Sequence, residues 1–284
     1  MWSCYYINNK NNVADCEVVT MKNMLITGGA GGIGSTVSTF FSQKGWMVYS
    51  CDIAPQTPLD KNIIPVATDI RSAGSVATAR SLVEKYTDHL DVIIHLAGIY
   101  IMDSLIEIPE EDFIRMFDIN VNGAYRVNKE FLPLVKNGGR IIIITSELSC
   151  LQPLPFNGIY SITKSTLEAY AHSLRLELAL IDIPVITIRP GAVDTKLLSD
   201  SFTSMEKMCE KTRLYRANAI KFRNIMNKTT KAPLSPDKLA EVIYNVAASP
   251  HPKAFYTIGA GFGLKMFSAL PASTQAILLK KLLK

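Results

Sequence analysis

The sequence predicts a single doubly wound α/β domain, a parallel sheet with helices on both faces, and three observations predict it. From Asn23 onward, short and uniformly apolar runs alternate with helical stretches. Strands buried on both faces read this way, and the helices between them are the crossovers that parallel pairing needs. The run Thr27-Gly28-Gly29-Ala30-Gly31-Gly32-Ile33-Gly34 lies between the first such strand and the first helix. Tyr160 and Lys164 stand four apart in a later helix, a spacing that puts both side chains on one face.

Taken in order, residues 1–22 are polar, Asn-rich and weakly periodic, and read as an extension. Met24–Thr27 reads as a short buried strand and Ile33–Lys44 as a helix stopped by Gly45. Met47–Cys51 and Ile63–Ala67 are the next strands, followed by a helix near Ser72–Tyr86. Asp91–Leu96 is a fourth strand, Glu110–Val135 a long helix closed by Gly138-Gly139, and Ile141–Thr145 a fifth strand. Ile159–Ile181 is a helix and Pro184–Ile188 a sixth strand. A polar, helical stretch continues to Lys231, then a helix at Pro236–Ala248 and a last strand at Ala254–Ile258. No internal repeat or low-complexity linker divides the 284 residues, so one domain is assigned to 23–260.

Bulk properties narrow the class. The chain is 48% hydrophobic and 19% charged, with a formal net charge of +5, enough apolar material for a sizeable core. No apolar run reaches the ~18 residues of a membrane span, and residues 1–23 lack the pattern of a secretory signal. The five cysteines are scattered without a CxxC pair, which argues against a disulfide framework. The four histidines are equally scattered, so no metal site is expected. These features read as a reducing, cytoplasmic setting.

The glycine run has the context a dinucleotide needs. Glycines between a strand and a helix permit a tight turn and let the backbone approach a pyrophosphate. The helix N-terminus then offers free amides and the positive end of its dipole. Asp52 follows Gly34 by eighteen residues and closes the second strand. A carboxylate there accepts ribose hydroxyls and repels a 2′-phosphate. No Arg or Lys lies in the turn or beside Asp52, so NAD is the expected cofactor rather than NADP.

With these motifs in place, the chain resembles the short-chain dehydrogenase/reductase family over roughly residues 23–258, a family with a Rossmann-like fold. Thr27-Gly28-x-x-x-Gly32-Ile33-Gly34 looks like its cofactor turn. Asp69-Ile70 resembles the pair that holds the adenine, and His95-Leu96-Ala97-Gly98 stands where the family has Asn-Asn-Ala-Gly. Asn120, Ser146 and Tyr160-x-x-x-Lys164 match the catalytic positions. Pro190-Gly191-Ala192-Val193-Asp194-Thr195 resembles the loop over the nicotinamide.

The resemblance implies roles. Tyr160 is the acid/base; Lys164 and the positively charged nicotinamide lower its pKa from about 10, and Lys164 holds the nicotinamide ribose. Ser146 donates to the substrate oxygen, and Asn120 holds a water that relays protons. Two departures stand out. His95 replaces an asparagine and reads as a core histidine, with a catalytic role as the alternative. Ser146 lies fourteen residues before Tyr160, where thirteen is commoner and would land on Glu147. An ionised carboxylate cannot donate a hydrogen bond, so Ser146 is preferred, with Ser149 as the alternative.

Leu151, Pro153, Leu154, Pro155, Phe156 and Ile159 lie between the catalytic positions, with Pro153 and Phe156 expected at the substrate. The stretch 195–232 resembles the family's substrate lid and carries Leu197, Leu198, Phe202, Met205, Met208, Leu214 and Tyr215. A hydrophobic alcohol or ketone is expected, steroid-, retinoid- or fatty-like, although these side chains also suit packing of the lid onto the body. From Lys196 to Lys231 there are nine Lys/Arg against three acids. Residues 261–284 read as a basic amphipathic tail, with no acid after Glu241 and lysines at 253, 265, 280, 281 and 284. Apolar area with charge suits the surface of an anionic membrane, and packing against the body is the alternative. Aromatic and basic residues do not interleave, so no nucleic-acid partner is expected. The resemblance implies a homodimer or homotetramer through the helices at 110–135 and 159–181. A non-catalytic NAD sensor would show a broken set of catalytic positions, and none is broken here. A nucleotide-sugar epimerase or dehydratase shares the Tyr/Lys pair but usually carries more than the about 90 residues that follow Pro190.

Overall fold

The computed structural model describes residues 21–57, 60–229, 233–259 and 261–284. All but the last two residues of the expected extension lie outside the described residues, as do Lys231 at the end of the expected lid and residue 260 at the expected domain end. Among the described residues, seven strands form one sheet: β1 (Asn23–Thr27), β2 (Met47–Asp52), β3 (Ile63–Ala67), β4 (Leu90–His95), β5 (Val135–Ile144), β6 (Val185–Pro190) and β7 (Phe255–Ile258). All neighbours are parallel, in the order β3-β2-β1-β4-β5-β6-β7. The winding reverses between β1 and β4, and the crevice at the carboxyl ends of these two strands is where such sheets place ligands.

The alternation of Cβ direction along the strands makes two cores. On one face Leu25, Ile93, Ile141 and Ile143 pack against Val76 of α2 (Ala73–Val83), Phe131 of α4 (Gly123–Phe131) and Leu167 of α5 (Gly158–Leu178). On the other, Met24, Ile26, Ile94 and Ile142 meet Phe41 of α1 (Gly32–Gln43) and Ile243 of α8 (Pro236–Ala248). Ser72 and Ser235 cap α2 and α8 through their side-chain oxygens.

The helix expected over Glu110–Val135 is broken into pieces. It runs as α3 (Glu110–Phe117), a π-turn at Asp118–Asn122, α4 and a 3-10 turn at Leu132–Leu134. The π-turn carries Asn120 inward, and Gly123 starts α4 where a Cβ would collide with Ile70. Pro133 falls in the 3-10 turn, where its missing N–H can be tolerated. The next strand begins at Val135, not Ile141: Val135 pairs with Leu90, the register shifts, and Arg140 pairs with Val92. Gly138, at φ 79°, supplies the left-handed residue of that irregularity.

The lid region forms α6 (Lys196–Lys211) and α7 (Arg216–Thr229), and the tail forms α9 (Phe262–Ser268) and α10 (Ala272–Leu283). The tail folds back on the lid. Leu283 is buried with Met205, Met208 and Phe222, Leu279 packs on the same cluster, and Asn218 Nδ2 donates to the Leu283 carbonyl at 2.8 Å. Lysines 280, 281 and 284 face outward with Ile277 and Leu282. Among the described residues, no helix is long and apolar enough to cross a membrane.

His95 ends β4 in the core, 4% exposed, with Nε2 2.7 Å from Asn128 Oδ1. Asn128 in turn donates to the Tyr170 hydroxyl at 3.0 Å. Burial lowers the His95 pKa to about 4. In the unfolded chain the imidazole titrates near 6.5. Between the two values the unfolded state binds one more proton, so stability falls as pH drops through this window and the loss stops below about 4. Replacing His95→Asn is expected to remove a loss of roughly 3 kcal/mol between these pH values. Denaturant midpoints of both proteins across this range check it, and parallel pH curves would refute it.

Candidate active site

The site is built at the crevice where the sheet reverses. β1 ends at Thr27, and Gly28 turns the chain with φ 74°. A Cβ on Gly28 would stand 2.8 Å from the backbone of Ala97, and one on Gly34 would run into the Gly28 carbonyl oxygen. The turn is therefore wound tightly against itself and against the Ala97-Gly98 segment after β4. α1 begins with Gly31 as N-cap, with no side-chain cap and no acid in its first turn. Its first amides are left for an anion. Gly32 faces Thr195, whose Cγ2 would be 3.2 Å from a Cβ placed there. Between them opens a cleft of about 260 Å³, also lined by Ile33, Gly98, Tyr100 and Leu197.

Around the turn stand the other expected cofactor residues. Asp52 accepts the Ala30 and Ala54 amides, each at 2.9 Å, so one carboxylate ties the end of β2 to the glycine turn. Asp69, just beyond β3, is held by Arg71 through Nε and Nη2 and accepts the Arg71 amide at 2.9 Å. The Arg71 side chain beside it keeps its carboxyl below the usual range. Ile70 packs on Gly123. On the far wall Pro190 ends β6, and the Gly191 amide donates to the Ile258 carbonyl at 2.8 Å. Val193 is buried and bridges to Leu234, and Thr195 opens α6. Free helix amides, glycines that admit no side chain, and an acid beside the turn fit a dinucleotide.

The catalytic positions converge on the inner face of α5. Tyr160 is 6% exposed and Lys164 is likewise buried, with Lys164 Nζ 5.8 Å from the Tyr160 ring centre. Lys164 donates to the Ile144 carbonyl at 3.1 Å. Asn120 accepts the Ile99 amide at 2.8 Å and donates to the Ile99 carbonyl at 3.0 Å and to Thr163 Oγ1 at 3.1 Å. Its amide thus clamps the Gly98–Ile99 edge of the cleft. Ser146 follows Thr145 beyond β5 and caps a 3-10 turn, accepting the Leu148 amide at 3.2 Å.

The expected lowering of the Tyr160 pKa is not what the protein alone produces. Burial pushes the phenol up to about 12, and the Ser146 hydroxyl beside it draws it only partly back. Burial also lowers the Lys164 ammonium to about 8. Burial costs each group its hydration, and that loss dominates both shifts. The alternatives to Ser146 turn away. Glu147 accepts the Gly261 amide at 2.8 Å, and burial raises its carboxyl. Ser149 Oγ lies 2.7 Å from the Ser146 carbonyl oxygen and 3.3 Å from Glu168 Oε2.

The substrate side is only partly as expected. Phe156, at φ 63°, meets Tyr215 and Phe222 edge-on and joins Leu154 in the lid cluster. Pro153 stands exposed on the loop, away from that cluster, and Ile159 is fully buried beneath Tyr160 with Met116 instead of lining a mouth. Met205 and Met208 are buried in the lid itself, while Leu214 is exposed. The lid's basic excess is partly spent on internal pairs, Lys211 with Asp103 and Arg223 with Glu206. Sequence reasoning missed Tyr100, whose ring stacks on Tyr160 with centres 3.8 Å apart and planes at 19°. Its place two residues after Gly98 was the available signal.

Comparison with known proteins agrees with this geometry. Residues 22–206 match the family model described as short chain dehydrogenase. An uncharacterized oxidoreductase of Bacillus subtilis, YusZ, is 26% identical over 274 residues, covering 92% of this chain and 98% of that protein. The NADPH-dependent 1-acyldihydroxyacetone phosphate reductase of Schizosaccharomyces pombe is 32% identical over 190 residues, 65% of this chain and 64% of its own length. The crystal structure of a short chain dehydrogenase family protein from Francisella tularensis superposes with a TM-score of 0.70 at 24% identity, covering 84% of this chain and 98% of that one. With its matched span extending from the glycine turn through the Tyr160–Lys164 helix and into the lid, this chain belongs to the short-chain dehydrogenases, oxidoreductases with a Rossmann-like site for a nicotinamide cofactor.

Proposed function

We propose that the protein is an NAD-dependent oxidoreductase that interconverts a secondary alcohol and a ketone on a hydrophobic, lipid-like substrate, with Tyr160 as acid/base. The observation that carries this reading is the buried Tyr160–Lys164 pair, with Ser146 beside the phenol, at the edge of the glycine-turn cleft. Gly28, Gly32, Ile33 and Gly34 would hold the pyrophosphate, Asp52 the ribose, Asp69 and Ile70 the adenine side. Ala97, Gly98, Lys164, Pro190, Gly191, Val193 and Thr195 would frame the nicotinamide end. When bound, the cofactor supplies or accepts the hydride. Tyr160 gives its proton to the substrate carbonyl oxygen, or takes one from the hydroxyl. Ser146 donates a hydrogen bond to the same oxygen and stabilises charge developing on it. Lys164 holds positive charge beside the phenol, which favours the phenolate during transfer.

Asp52 supports NAD, because its carboxylate on the glycine turn would face a 2′-phosphate with like charge. The fission yeast relative is named NADPH-dependent, so cofactor choice is a point on which this chain would differ. That relative's named substrate is acylated and anionic, which suits the apolar lid cluster and the basic lid here. A homodimer or homotetramer through the outer faces of α4 and α5 belongs to the same proposal, supported by exposed Tyr125, Ile162 and Leu176.

Reduction of NAD, followed by absorbance of the nicotinamide, with hydroxysteroids, retinol and long-chain alcohols tests the reading. Turnover is expected with NAD at kcat/KM at least ~10-fold above NADP. Replacing Tyr160→Phe should lower kcat by ~10²- to 10⁴-fold. Turnover that survives in the Tyr160→Phe protein would sink the acid/base assignment, and equal use of NADP would sink the role given to Asp52.

The tail supports a second partner for the same function, an anionic lipid surface. α10 gives Leu279 and Leu283 to the lid, while Ile277 and Leu282 are 67% and 59% exposed beside Lys280, Lys281 and Lys284. On α9, Met266 is exposed next to Lys265. Apolar side chains among lysines with no acid bind membranes through buried area plus charge. Sedimentation with phosphatidylserine-containing vesicles is expected to carry the protein down at low salt, and replacing Ile277→Ser with Lys281→Glu should release it. Binding that ignores lipid charge, or none at all, would refute this partner. Loss of self-association in the same variant would identify a second copy of the chain as the occupant.

A further inference from the structure

Glu168 stands behind the catalytic residues, and its role below rests on the oxidoreductase reading above. Glu168 lies one helical turn beyond Lys164 and two beyond Tyr160, on the same face of α5. Its side chain is 15% exposed and reaches the Thr145 hydroxyl. Three donors hold the carboxylate, and the Ser149 hydroxyl, which donates to the Ser146 carbonyl, stands beside it. Thr145 Oγ1 lies 2.8 Å and Ser149 Oγ 3.3 Å from Oε2, while Thr187 Oγ1 lies 3.0 Å and Arg189 Nη2 2.5 Å from Oε1.

These groups are not a random set. Thr145 immediately precedes Ser146, and Ser149 closes the turn that Ser146 opens, through its 2.7 Å bond to the Ser146 carbonyl oxygen. Thr187 and Arg189 lie on β6, and Arg189 immediately precedes Pro190, where the loop to Thr195 begins. Arg189 is itself fixed from the other side, with its guanidinium 4.6 Å from the Phe255 ring centre. One carboxylate therefore joins the three elements that carry Tyr160 and Lys164, Ser146, and the 190–195 loop.

We propose that Glu168 is a positioning residue: it fixes the Ser146 turn and the Pro190–Thr195 loop relative to Tyr160 and Lys164 on α5. The charge state agrees with the geometry. Burial alone would raise this carboxyl, but Arg189, Thr145 and Thr187 hold it below the usual carboxylate range, so it stays ionised and accepts from all three.

A purely structural ion pair makes a different forecast from a positioning one. Removing one partner of a buried pair leaves the other charge uncompensated, whereas neutralising both can leave stability intact. The test therefore uses Glu168→Gln alone and the double variant Glu168→Gln with Arg189→Gln. The readouts are thermal stability, kcat and KM with the best substrate found, and the fluorescence of bound NADH, which reports how the 190–195 loop encloses the nicotinamide. The single variant is expected to lose stability and the double variant to regain it. In the double variant kcat should remain at least ~10-fold low with substrate KM within ~3-fold, and the NADH fluorescence enhancement should fall by at least ~half. Recovery of both kcat and NADH fluorescence along with stability would overturn the proposal. If the wild-type protein binds NADH but turns over no substrate, the oxidoreductase reading fails, and the NADH fluorescence still decides the role of Glu168.

Discussion

A phenol and an ammonium buried side by side on one face of α5 set the terms for everything around them. Each ion is expensive in a dry pocket, and both groups are pushed toward neutrality, Tyr160 up to about 12 and Lys164 down to about 8. A pair in that condition does little proton chemistry near neutral pH unaided. It is, however, very sensitive to any further charge, because the low dielectric that penalises ions also magnifies their interactions. A positive ring brought into the cleft would act on Tyr160 with that magnified leverage.

The fold serves this arrangement by fixing backbone. The sheet reverses between β1 and β4, which opens the crevice, and the glycine turn fills it so closely that Ala97 leaves no room for a side chain at Gly28. Asn120 reaches this edge from a π-turn and holds Ile99 with both ends of its amide. Such an irregularity in a helix is common where a side chain must be aimed. Above the crevice, the lid and tail form one apolar cluster around Met205, Met208 and Leu283, which touches the catalytic cluster through Tyr100. Substrate entry, lid packing and the stacking of Tyr100 on Tyr160 are in that way physically connected.

Most of the fold was legible because both faces of the sheet are covered. Runs such as Met24–Thr27 and Ile141–Ile144 admit no other reading once helices flank them. The Tyr160–Lys164 spacing and the glycine turn were legible for the same reason, since each is local. What failed depended on contacts distant in sequence. In the 110–135 segment Gly123 and Pro133 were visible signals of a break, but the packing of Gly123 on Ile70 and the pairing of Val135 with Leu90, which fix where the breaks fall, were not. The balance between burial and charge at Tyr160 could not be read from a spacing of four. Pro153 and Phe156 sit three apart on one apolar loop, yet only the backbone turn at Phe156 decides which enters the lid cluster. His95, by contrast, was readable as a core residue from its place at the end of an apolar strand.

Cofactor charge acting in this buried pocket is expected to bring Tyr160 within reach of working pH. Tyrosinate absorbance, titrated in the wild-type protein and in a Tyr160→Phe control with and without NAD, isolates that one phenol. Ionisation is expected near 12 without cofactor, with a fall of at least ~2 units when oxidised NAD is bound. A phenol that titrates at the same pH with and without NAD would contradict it.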